Sequence, residues 1–108
     1  MHEVRYHPAA EAELDDIPAR EQAAVRNAED KLKSLGNTLG YPYSSAVKGA
    51  NNLRELRPRS GNSPWRALYR QVGEVFVIAA ISPEAQHDKR GFDRACRDAE
   101  DRLTEVEE

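Results

Sequence analysis

Cysteine is almost absent from this 108-residue chain. Cys96 stands alone, so no intramolecular disulfide can brace the fold, and a reducing cytoplasm is the expected setting. Its place inside a helical repeat reads as a small core residue rather than a reactive thiol. Long apolar runs are absent as well. The longest, Val75 to Ile81, is far too short to span a bilayer, and the opening MHEVRYHPAAEAEL lacks the apolar centre of a signal peptide. Neither membrane insertion nor secretion is expected. His2, His7 and His87 with one cysteine offer no metal-ligand spacing, no glycine-rich phosphate loop is present, and no serine sits in a nucleophile-elbow context. No metal or other cofactor is expected.

What is present fits one globular domain over residues 1–108. Hydrophobic residues make up 39% and charged residues 32%, enough for a modest core under a heavily charged surface. The net charge of −3 is unevenly spread. Residues 47–72 carry six basic side chains and one acidic, whereas residues 1–46 carry five and eight and residues 73–108 five and ten. The basic middle third, with Lys48, Arg54, Arg57, Arg59, Arg66 and Arg70, is either a solvated strand surface or an anion-binding one.

Residues 2–6 alternate polar and apolar as a short strand that His7-Pro8 ends. Ala10, Leu14 and Ile17 form the stripe of a first helix stopped by Pro18, and Val25, Ala28, Leu32 and Leu35 that of a second, over residues 19–35 and closed by Gly36-Asn37. Residues 36–52 are rich in turn formers and read as one long loop. Three strands are predicted next, over residues 53–57, 65–72 and 74–81, as an antiparallel meander. The last is apolar on both sides, with Val75, Val77 and Ile81 opposite Phe76, Ile78 and Ala80, as for a central strand covered twice. Phe92, Cys96, Ala99, Leu103 and Val106 then mark a terminal helix. The order β-α-α-β-β-β-α predicts an α+β fold, an N-terminal strand and helical hairpin packed on a small antiparallel sheet with a C-terminal helix, the helices gathered mainly on one side.

Two segments carry a family likeness. VRYHPAAEAELDDIP resembles the opening strand and first helix of RelE/ParE toxins. Leu53-Arg54-Glu55-Leu56-Arg57, followed at a hairpin's distance by Trp65-Arg66-Ala67-Leu68-Tyr69, resembles their central sheet, especially in the phage-derived Gp49-like and HigB branch. The likeness covers about residues 3–81 and implies a RelE-like fold and the toxin role of a type II toxin–antitoxin pair, with a cognate antitoxin as partner. RelE- and HigB-type members are endoribonucleases that cleave mRNA on the ribosome without a metal; ParE-type members instead block DNA gyrase. A third reading is a degenerate, non-catalytic member acting only in an antitoxin complex.

Attack by a ribose 2′-hydroxyl on the adjacent phosphate needs a base, a cation for the transition state and an acid for the leaving oxygen. The resemblance assigns Arg66 as phosphate clamp, since its planar fork pairs phosphate oxygens bidentately. An ion pair between Arg66 and Glu55 on the neighbouring strand is the structural alternative. Arg57 matches the arginine closing the LRELR segment. Strand alternation puts Arg54 on the opposite face from Glu55 and Arg57, so both arginines enter one site only if a bulge intervenes. Lys48, Arg54, Arg59 and Arg70 are the further RNA- or phosphate-binding candidates. Where the family's RelE members carry a second catalytic basic residue after the last central strand, this chain reads ISPEAQHDKRGF, leaving His87, Lys89 and Arg90 as candidates. Only His87 has an unperturbed pKa suited to both acid and base work near neutrality. Lysines that some relatives place on the LRELR strand are replaced by Leu53 and Glu55. Any of the three candidates within reach of Arg66 favours cleavage over gyrase binding.

Overall fold

The computed structural model describes residues 1–107. Its elements are β1 (Glu3–Tyr6), α1 (Pro8–Asp16), α2 (Ala19–Leu35), β2 (Ser44–Ala46), β3 (Arg54–Leu56), β4 (Trp65–Val72), β5 (Val75–Pro83) and α3 (Lys89–Glu107), with short 3-10 turns at Gly36–Thr38 and Pro58–Gly61. Pro8 opens α1, and the His7 Nδ1 accepts the Ala9 N–H at 3.0 Å, one of the donors a helix start leaves orphaned. None of the helices is long and apolar enough to cross a membrane among the described residues.

The five strands form one sheet in the order β1-β5-β4-β3-β2. β2 to β5 are antiparallel, joined at β4–β5 by the two-residue turn Gly73-Glu74, in which Gly73 adopts φ +63°. β1 instead lies parallel to β5, so the sheet is mixed rather than purely antiparallel. The predicted long loop contains a strand: β2 pairs with β3, and its Ser44 hydroxyl lies 2.6 Å from the buried Tyr69 hydroxyl. Three residues with one buried side chain leave no periodicity for sequence to register.

The helices do not gather on one side. α1 and α2 cover one face, burying Leu14, Val25 and Leu32 against Leu56, Tyr69, Phe76 and Ile78; α3 covers the other, burying Phe92, Ala99 and Leu103 against Leu53, Leu68 and Val77. Each such large side chain contributes roughly 1.5–3 kcal/mol by leaving water. The ladder slips between Leu68 and Tyr69, which pair with Ala80 and Ile78, so Ala79 is an extra residue in β5. That bulge reverses the alternation beyond it: Ala79 and Ala80 both face α3, and Ile81 joins Phe76 and Ile78 on the α1–α2 face, not Val75 and Val77 as strict alternation predicts.

Candidate functional site

Arg66 stands on the α3 face of β4 and is only 3% exposed. Its guanidinium is fully engaged. Nε donates to Glu55 Oε1 at 3.2 Å; Nη1 to the carbonyls of Ser63 and Trp65 at 2.7 and 2.9 Å; Nη2 to the Gly61 carbonyl at 3.3 Å and to Glu84 Oε2 at 2.8 Å. The Glu55 ion pair considered from sequence is therefore present, and Glu84 adds a second. A buried guanidinium needs such partners, because an unpaired one bears a large desolvation penalty.

Glu55 is the pivot. Its Oε1 receives both Arg66 and, at 3.3 Å, Arg57 Nη1. Its Oε2 accepts from no group among the described residues. Arg57 is fixed by its Nε, which donates to the Pro42 carbonyl at 3.0 Å, and by the Tyr41 ring, whose centroid is 5.0 Å from its Cζ. No described group accepts from Arg57 Nη2. It lies against Gly61, which adopts φ +94°, a conformation costly for other residues; a Cβ there would fall 2.4 Å from that nitrogen. Tyr41, Glu55, Arg57, Gly61, Arg66, Glu84, Ala85 and Gln86 line a cavity of about 330 Å³. Among its lining groups, Glu55 Oε2, Glu84 Oε1 and Arg57 Nη2 make no hydrogen bond to any described residue.

The other predicted residues lie elsewhere. Arg54 is on the opposite face, as alternation requires, and donates to Ser44 Oγ at 3.0 Å. Arg59 Nη1 donates to both carboxylate oxygens of Glu21, each at 2.9 Å. The Ser63 hydroxyl, 2.7 Å away, and then Arg59 hold the Glu21 carboxyl below its ordinary value. Arg70 ties β4 to α3 through Glu100 and Glu107 and donates to the Asn51 carbonyl. Lys48 and Lys89 line a cleft between the β2–β3 connection and α3, where Lys89 pairs with Asp93. His87 is exposed in a different cleft, beside Trp65, Pro83 and Arg94, and Arg90 is exposed at the start of α3. None of His87, Lys89 and Arg90 lines the Arg66 cavity; from that segment Glu84 reaches it instead. Glu55 and Glu84 carry no motif of their own, and the basic character of residues 47–72 points to cations. The one signal was Glu55 itself, the single acidic residue in residues 47–72.

Comparison with known proteins adds to this geometry. The family described as "Phage derived protein Gp49-like (DUF891)" matches residues 12–81. The large ribosomal subunit protein bL17 of Solibacter usitatus is 28% identical over 103 residues, 94% of this chain and 67% of that protein. Among solved structures, a mutant of the E. coli toxin RelE in the free state aligns with a TM-score of 0.64 at 10% identity, covering 89% of this chain and 95% of that one. The toxin–antitoxin complex RelBE2 of Mycobacterium tuberculosis aligns with a TM-score of 0.59 at 22% identity, covering 77% and 98%. At these identities the structural likeness is one of fold.

Proposed function

The chain belongs to the phage-derived Gp49-like family, and from that premise and its RelE-like fold we propose that it is the toxin of a type II toxin–antitoxin pair, a ribosome-dependent mRNA endoribonuclease. The observation that carries this reading is the divided state of Glu55: Oε1 is held by two arginines, while Oε2 has no donor among the described residues, in a cavity that Arg57 also lines. In this reading Oε2 takes the proton of the attacking 2′-hydroxyl, and Arg57 Nη2 meets the charge that develops on the phosphate. Arg66 acts through Glu55, fixing the carboxylate that it pairs. No imidazole or ammonium group lines this cavity, although Lys48 and Lys89 line the adjoining cleft that shares Glu55 and Ala85 with it; in this reading the leaving oxygen takes its proton from solvent, without the roughly 10²–10⁴-fold that a placed acid contributes. A cognate antitoxin is the partner, as in the RelBE2 complex of similar fold.

Ribosomes programmed with a 5′-labelled message and incubated with the purified chain test this. Cleavage with 2′,3′-cyclic phosphate ends is expected, falling by about 10²-fold or more in Glu55→Gln while the fold persists. A message left intact by the wild-type chain overturns the reading. One observation favours a second reading, a ParE-like gyrase inhibitor: His87, Lys89 and Arg90 all lie outside the cavity, and a protein-docking toxin needs no acid–base set. Inhibition of gyrase supercoiling without RNA cleavage would establish it.

A further inference from the structure

A second cavity, of about 320 Å³, opens on the other side of Arg57. One wall is a face of α2, with Arg20, Ala23, Asn27 and Lys31 at helical spacing; the other is Arg57, Arg59 and Ser60, with Tyr43 also in the lining. No carboxylate lines it. Arg20 and Lys31 have no ion-pair partner among the described residues, and Arg57 Nη2 is free, so the Glu21 and Glu55 carboxylates neutralise only part of the four positive charges. Arg57 lines this groove and the Glu55 cavity alike, so the two lie on either side of one side chain.

The aromatic content is as informative as the charge. Tyr41 is 75% exposed and Tyr43 38%, in a protein that buries Tyr69, Phe76 and Phe92 almost completely. Each exposed ring carries a cation on one face, Arg57 over Tyr41 and Lys31 over Tyr43, the latter 5.4 Å from the centroid. They flank Pro42, whose carbonyl anchors Arg57. Exposed aromatic rings along a cationic groove are what a single-stranded nucleic acid uses, with bases stacked on the rings and phosphates on the cations. A duplex keeps its base faces covered and could use only the charge.

We propose that Tyr41, Tyr43, Lys31 and Arg20 form a single-stranded RNA track that leads the substrate strand across Arg57 into the Glu55 cavity. The proposal rests on the ribonuclease reading and adds to it the residues that position nucleotides flanking the scissile phosphate. Pairing with duplex RNA or docking of a protein are the alternatives that the test separates.

Fluorescence anisotropy with a labelled single-stranded RNA octamer, on the full chain, tests it. Glu55→Gln is the background, so that no cleavage intervenes. Binding of the octamer is expected, and Tyr41→Ala and Tyr43→Ala are each expected to weaken it about 5- to 150-fold, the worth of one stacked base. Tyr41→Phe and Tyr43→Phe, which keep the ring, are expected to restore it. Arg20→Gln and Lys31→Gln, both on the exposed surface, are expected to lower the slope of log affinity against log salt by about 0.7 each. Alanine variants that bind like the parent, or duplex RNA bound as tightly as the single strand, overturn the track. Growth arrest on expression, read separately, distinguishes the two levels: arrest without octamer binding removes the track and leaves the toxin, while octamer binding without arrest removes the toxin and leaves the track.

Discussion

Arg102 on α3 donates to both carboxylate oxygens of Glu13 on α1, at 3.0 and 2.9 Å, although 88 residues lie between them in the chain. The pair closes the sheet where β1 runs out. β1 covers β5 only as far as Ile78, and beyond it the Ala79 carbonyl accepts from Arg102 while the Ile81 N–H donates to Glu13, at 2.9 and 3.1 Å. Two side chains thus take over the hydrogen bonds that a longer strand would make.

Glu13→Ala is therefore expected to destabilise the fold by about 1–3 kcal/mol, because it leaves the Ile81 N–H without an acceptor and takes from the Arg102 guanidinium its two-bond carboxylate partner. A urea titration reads this as a lower midpoint at unchanged slope. A midpoint equal to that of the wild type would show that water replaces the carboxylate without loss.

Arg66→Ala is expected to cost about 3 kcal/mol or more, since it strips Glu55 and Glu84 of one cation and leaves three carbonyls without their donor. Arg66→Lys is not expected to rescue it, because one ammonium cannot span acceptors arranged for a planar fork. Thermal unfolding of both variants decides. Wild-type stability with lost toxicity would make Arg66 a free phosphate clamp after all.

Burial first, then the nearby Asp93 and Glu55 carboxylates, push the Cys96 thiol up from 9.0 to about 11. The alkylation rate with iodoacetamide is expected to keep rising tenfold per pH unit past pH 9, levelling only near 11. Circular dichroism at each pH confirms that the fold is intact. A plateau at pH 9 would place the thiolate in open solvent.

The Glu21 carboxyl is held below its ordinary 4.5, so the folded state binds its proton less readily than the unfolded chain. Its contribution is fully present above 4.5 and is lost as the pH falls through the lower, folded-state value. Glu21→Gln is expected to unfold over a less steep acid range than the wild type. Identical acid-unfolding curves would show that the Ser63 and Arg59 contacts do not persist in solution.

Sequence made the helices and β1, β3, β4 and β5 legible because each lies in a segment with an apolar pattern at its own period. The turn chemistry at Pro8, Pro18 and Gly36 marked the helix limits closely. β2 escaped because pairing with β3, rather than its own pattern, makes it a strand. The bulge at Ala79 escaped because one inserted residue in an all-apolar run leaves the run apolar. For the site, the LRELR and WRALY segments drew attention to Arg57 and Arg66, and the Glu55–Arg66 pair weighed as an alternative is the contact that joins them. Whether Arg66 is exposed could not be read, since a strand arginine has the same spacing on a wet face and a buried one; Glu84, which helps to bury it, arrives from a non-periodic segment. Tyr41 and Tyr43 passed as loop residues because nothing local showed which cations would cover them.

Gly61 makes the reach of the Glu55 cavity a matter of one missing carbon. With hydrogen as its side chain, the turn leaves room for Arg57 Nη2; a Cβ would fall 2.4 Å from it, so any larger group would displace the guanidinium from the position in which Glu55 and the Pro42 carbonyl hold it. Within the family, the residue at this turn is thus a marker that plain sequence can supply. Chains with glycine there are expected to keep the Glu55–Arg57 pair, whereas chains that substitute it must have moved the guanidinium and, with it, the charge that this cavity offers an anion.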